Sequence, residues 1–182
     1  MRVREAVARA DAHVMATELA ALLGFSLAVA VTAGYIRTPM ALPGHSAVIW
    51  MPVLLLAGYR RPGMTAGASL VGGGLAAGLG VMRPHELAAL MISASVVEAF
   101  GLSMSGRWRA PMILAAGICG NLGKLGMKVL VSAPMGLPLN KVALPVLPTF
   151  AIYAASGLIA GFIALGIIVA WERLRRSRPT TE

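Results

Sequence analysis

Charge is scarce in this chain. Asp, Glu, Lys and Arg make up only 13% of its 182 residues, about half the share of a soluble domain. With 58% of residues hydrophobic, there is too little polar surface to wrap a water-soluble globule. Lipid is the solvent that tolerates such a composition. Cysteine is almost missing: the lone Cys119 excludes an intramolecular disulfide, and no Cys/His group has zinc-site spacing. Enzyme signatures are missing too. There is no His-Glu-x-x-His, no Gly-x-Ser-x-Gly and no Walker lysine, and Gly72-Gly73-Gly74 lacks the Lys-Ser/Thr of a phosphate loop. No catalytic residue, metal site or cofactor is therefore assigned, and an enzyme is not expected.

What is present is apolar length. A helix crosses the hydrocarbon with roughly 20 apolar residues at about 1.5 Å each. Six stretches approach this: Ala16–Ile36, Leu42–Tyr59, Gly63–Met82, Leu87–Met104, Ala110–Ala133 and Leu147–Trp171. The second is short and holds Pro52, which fits a kinked or re-entrant segment. The fifth holds Asn121, Lys124 and Lys128. The connectors are short and charged or rich in Pro and Gly, so none can hold a second domain. The expectation is one all-α, polytopic domain over residues 1–182, a six-transmembrane-helix bundle. Residues 1–14 read as an amphipathic cytoplasmic segment, or a frayed basic tail, and residues 172–182 as a basic cytoplasmic tail. Ala28-Val29-Ala30 resembles a signal cleavage site, but the run before it is long and five more spans follow.

The net charge of +9 raises nucleic acid as a partner. Its placement points to a bilayer instead. With the N-terminus inside, 11 of the 16 basic residues fall in cytoplasmic segments, and only Arg37, Arg83 and Lys141 fall in outer loops. This is the positive-inside pattern. It predicts an inner (cytoplasmic) membrane protein with both termini in the cytoplasm. Tyr35 and Tyr153 fall toward the outer interface; Tyr59, Trp108 and Trp171 toward the inner one.

Helices in lipid associate by close packing, which small residues permit. Ala16, Ala20, Gly24, Ala28 and Thr32 form one i,i+4 file on the first span, long enough to serve an external partner as well as an internal neighbour. Further files are Gly63, Gly67, Gly74 and Gly78; Gly117, Gly120, Gly123 and Gly126; and Gly157, Gly161 and Ala164.

Ionised groups in the hydrocarbon cost at least about 2.5–3.5 kcal/mol, so they mark function or pairing. Asn121, Lys124 and Lys128 share a helix face that must look inward. Counting residues puts Glu98 roughly 16 Å below the outer surface, Lys124 roughly 14 Å and Lys128 roughly 8 Å. Glu98 and Lys124 are expected to pair, as structural glue or in contact with a ligand, and with Asn121, Lys128, His45 and Trp50 they make the candidate substrate-binding set. Lys128 has no obvious carboxylate and lies near His45, Ser46 and Trp50, an arrangement suited to an anionic ligand group. Snorkelling of Lys128 to the interface remains the alternative, as does a plain helix-start role for His45.

Six spans in under 200 residues, a small-residue file on the first span, and the segment Leu42-Pro43-Gly44-His45-Ser46-Ala47-Val48-Ile49-Trp50-Met51-Pro52 together resemble the S components of energy-coupling factor (ECF) transporters. The resemblance implies a substrate-binding subunit that holds a vitamin-like small molecule in the outer half of the membrane. The loop Arg37–Gly44 would cover it. Ala16 and Ala20, continued by Gly24 and Ala28, would dock on a transmembrane coupling subunit driven by ATPase subunits. Metal transport is not implied, because Arg2 stands where cobalt and nickel members carry His. Two other readings stand beside this one: a stand-alone ion-coupled transporter or channel, and a non-transporting accessory subunit of a larger membrane complex.

Overall fold

The computed structural model describes residues 2–35, 44–101, 106–132 and 145–177. It is helical throughout, with no strand among those residues. The helices are α1 (Arg2–Val29), α2 (Ala47–Arg60), α3 (Met64–Gly78), α4 (Pro84–Gly101), α5 (Arg109–Ser132) and α6 (Val146–Arg176). A π-helical stretch, Ala30–Tyr35, extends α1, and a 3-10 turn, Gly106–Trp108, precedes α5. Arg2 to Val14 run straight into the first hydrophobic helix, where a separate surface helix was one expectation.

Three segments are long and apolar enough to cross a membrane: Asp11–Gly34, Gly106–Val131 and Val146–Arg176. This is a membrane protein. α2 and α3, with 14 and 15 residues, span only about 21–23 Å at 1.5 Å per residue, short of a hydrocarbon core of about 30 Å. Pro52 sits inside α2 without ending it.

α2 is the axis of the bundle. It touches α1, α3, α4, α5 and α6, while its neighbours contact one another in the order α1, α3, α4, α5, α6. Composition explains the choice. α2 presents Trp50, Met51, Leu54 and Leu55 on several faces, all buried, as befits a helix apolar all round. α1 is peripheral, and its Met15, Leu19, Leu23 and Leu27 are exposed.

Glycine sets the register between helices. Gly117 of α5 and Gly157 of α6 meet backbone to backbone, and a Cβ at either would overlap the other's carbonyl oxygen. Gly161 lies against Leu114, and Asn121 against Tyr153, so α5 and α6 run antiparallel. Gly120 packs on Met51 and Val97, and Gly123 on Ile92 and Val96, which fixes α5 against α2 and α4. On α3 the contacting glycines are Gly67, against Leu22, Gly72, against Ser26, and Gly73, against Leu87 and Leu90. Gly74 and Gly78, from the file expected to pack, have nothing within 4 Å. Adjacent glycines face different neighbours on a helix, and hydropathy does not say which.

Replacing Gly157 with Leu is expected to lower stability by about 3 kcal/mol or prevent folding, because the seam cannot open. Gly24→Leu, with nothing within 4 Å of its Cβ position, is expected to change stability by under about 0.5 kcal/mol. Thermal unfolding of both variants in one detergent checks the contrast.

Candidate functional site

The bundle has two chemically distinct ends. At the end formed by the start of α3 and the close of α2, α4 and α6, carboxylates are matched with partners. Glu18 meets Arg60 at 3.3 Å and Arg61 at 3.7 Å. Glu172 pairs with Arg109 and accepts the Tyr59 hydroxyl at 2.7 Å. The Arg109 guanidinium also lies 5.9 Å from the Tyr59 ring centre. One clasp thus joins α2, α5 and α6.

Glu98 belongs to this end, which corrects the expected pairing with Lys124. Its carboxylate accepts the backbone N–H groups of Gly63 and Ala66 (the latter at 3.3 Å), capping the start of α3 from the neighbouring helix. The depth estimate failed because the helix ends differ from the hydropathic ones. Measured from Pro84, Glu98 is roughly 21 Å along α4, whereas Lys124 is only roughly 12 Å from the end of α5 at Ser132. The packing of Gly123 on Ile92 and Val96 puts Lys124 more than a turn away from Glu98.

The opposite end gathers Trp50, Asn121, Lys124 and Lys128, four of the six residues expected to bind substrate. Asn121, Lys124 and Lys128 do turn inward. The Lys124 ammonium lies 4.6 Å from the Trp50 ring centre, and the Lys128 ammonium 5.7 Å from that of Tyr153. Lys128 therefore folds over a ring on α6. Asn121 is fully buried, and its Nδ2 donates to the Tyr153 carbonyl at 2.8 Å. His45 sits in the turn Gly44–Ser46 that enters α2, five residues before Trp50. Of the loop Arg37–Gly44, only Gly44 lies within the described residues. Its φ of +77° and its contact with the Tyr153 ring leave no room for a side chain.

Three polar atoms here lack hydrogen-bond partners among the described residues: Trp50 Nε1, Asn121 Oδ1 and the Tyr153 hydroxyl. Their residues are at most 3% exposed. An unmatched buried polar group costs about 1–3 kcal/mol, so three together are rarely left idle. No ion pair among the described residues involves Lys124 or Lys128. Two cations over aromatic rings thus lie among residues that carry three buried polar atoms without a hydrogen bond in the structure.

Compared with known protein families, characterised proteins and solved structures, this chain matches none. Its chemistry must be read from its own geometry.

Two features escaped sequence reasoning. Tyr153 was assigned only to the interface, yet it is fully buried in the site. The signal was its place on the same α6 face as Gly157 and Gly161, four and eight residues on. The Tyr59–Arg109–Glu172 clasp had no signal, since its members are far apart in sequence.

Ala16, Ala20 and Gly24, expected to dock on a partner, are all exposed, and Ala28 is half-buried. A second feature, an open groove on α6, is lined by Phe162, Leu165, Val169 and Arg173 among others. It shares no residue with the lysine site.

A double-mutant cycle on Glu98 and Lys124 is expected to give a coupling energy below about 0.5 kcal/mol, and one on Arg109 and Glu172 about 1–3 kcal/mol. Strong coupling between Glu98 and Lys124 would restore the pair.

Proposed function

We propose that this chain is the membrane-embedded, substrate-binding subunit of an ECF-type ATP-driven importer, taking up a vitamin-like or other small molecule with an anionic group. One observation carries the reading. Lys124 and Lys128 fold inward, in no ion pair among the described residues, over Trp50 and Tyr153, beside buried polar atoms that have no hydrogen-bond partner among those residues. A ligand anion supplies the missing charge, and its polar groups the missing hydrogen bonds.

All six helices then lie within the inner membrane with both termini cytoplasmic, as the distribution of arginines favours. The clasped end faces the cytoplasm and the lysine site opens toward the outer half. Of the shorter helices, α2 is enclosed by the other five, so its length is no obstacle. Ala16, Ala20 and Gly24 on the open side of α1 allow the close backbone approach that a transmembrane coupling subunit needs, and ATPase subunits supply the energy. Glu98, capping α3, drops out of the substrate set. Lys124, Lys128, Asn121 and Trp50 form it, with His45 at its edge and Tyr153 added.

The reading makes the following outcome expected. Gentle purification retains a small molecule identifiable by mass spectrometry, together with a coupling subunit and ATPases. Lys128→Ala releases the ligand while the fold survives. Ala20→Trp releases the partner and keeps the ligand. Uptake by the lone protein, driven by an ion gradient, would replace this proposal with a secondary transporter. Stable residence in a large complex without any ligand would make the chain an accessory subunit.

A further inference from the structure

The outward face of α6 is not uniform. From Phe162 to Leu174 it carries an open groove. Two files of residues four apart run along it. Phe162, Gly166, Ala170 and Leu174 form one, and Leu165, Val169 and Arg173 the other. Gly166 and Ala170 lower its middle, and a Cβ at Gly166 would meet nothing within 4 Å. The groove is about 18 Å long at 1.5 Å per residue, close to one leaflet of hydrocarbon, about 15 Å. It is apolar until its last turn, where Arg173 lines it. Arg173 is in no ion pair among the described residues, and Arg175 and Arg176 follow in the same turn. The adjacent carboxylate, Glu172, is engaged by Arg109 and Tyr59, with Arg176 acting on it through space. That clasp also fixes depth. It puts Trp108 and Trp171, the exposed neighbours of Arg109 and Glu172, at one level of the bundle. Exposed tryptophans mark the boundary between hydrocarbon and headgroups, and Arg173 lies just beyond it.

We propose that this groove holds an acyl chain of an anionic phospholipid whose phosphate sits on the Arg173 guanidinium. Each level of the groove matches one part of such a lipid. The apolar length takes a single chain within a single leaflet. The arginine stands at headgroup depth, where a guanidinium takes a phosphate through two parallel N–H···O bonds. Arg175 and Arg176 add positive potential, which favours a net anionic headgroup over a zwitterionic one. A partner helix suits the groove less well. It would follow α6 through both leaflets, yet the groove stops at Phe162, about half-way along Val146–Arg176, and it would need an acid of its own at Arg173. The proposal is independent of the importer reading and requires only that the chain lies in a bilayer.

Native mass spectrometry of the full-length protein, released from equal amounts of phosphatidylglycerol and phosphatidylcholine with matched chains, counts the lipids that stay bound. Phosphatidylglycerol is expected to be retained about fivefold over phosphatidylcholine, the effect of one basic residue beside an anionic headgroup. Arg173→Gln is expected to remove most of that preference. Gly166→Leu, which fills the middle of the groove without meeting a neighbour, is expected to lower retention of both lipids. Arg107→Gln alters a basic residue at the same level but outside the groove, and is expected to leave retention as it was. Equal retention of the two lipids, an Arg107→Gln effect as large as that of Arg173→Gln, or a folded Gly166→Leu protein that retains lipid normally would each overturn the proposal. A dimer mass that disappears in Gly166→Leu would also overturn it, by giving the groove to a second copy of the chain. The Arg173→Gln and Arg107→Gln comparison decides the matter even should Gly166→Leu fail to fold.

Discussion

The contact between Gly117 and Gly157 governs the arrangement of this protein. Two backbones that touch cannot slide, because every side chain larger than hydrogen would have to pass through a neighbouring carbonyl. That locked seam sets the register of α5 against α6. One turn along, it puts Asn121 beneath the Tyr153 carbonyl. The other way, about two turns along α5 and four along α6, Arg109 meets Glu172. The polar chemistry at both ends of the bundle is thus fixed by residues with no polar side chain. In lipid, where burial of apolar surface drives little association, such close approach is the available source of specificity.

The two ends put ionised groups to different use. At one end, charges are neutralised between helices and Glu98 completes the hydrogen bonding of α3. Breaking one partner there leaves the other uncompensated, a costly state for a partly buried group. At the other end, aromatic faces hold the cations. A ring attracts an ammonium by only about 0.5–2 kcal/mol and without a directed bond, so this hold is easily exchanged for a better partner. The two ends therefore differ in how firmly their charges are held.

Much of this was legible from residue spacing, and the limits were geometric. The six apolar segments correspond to six helices, and the i, i+3, i+7 pattern of Asn121, Lys124 and Lys128 placed them on one inward face. The exposed file Ala16–Ala20–Gly24 was also visible, because a peripheral helix needs no large inward stripe. The depth of Glu98 was not. It depended on where α4 begins and α5 ends, and polar residues such as His85 and Glu86, which start α4, look like loop to hydropathy. Contacts between distant residues, Tyr59 with Glu172 or Trp50 with Lys124, depend on the glycine register, which no periodicity encodes.

The central position of α2 has one more consequence. Among the described residues, α1 contacts α2 and α3, whereas α5 contacts α2, α4 and α6. α2 is the shared neighbour of the exposed first helix and of the helix bearing both lysines. α2 thus carries the indole beneath Lys124 on one face and packs on α1 with another. Were a shift of α1 to move α2, a charge held over that indole would feel it, and the effect would run equally in the other direction.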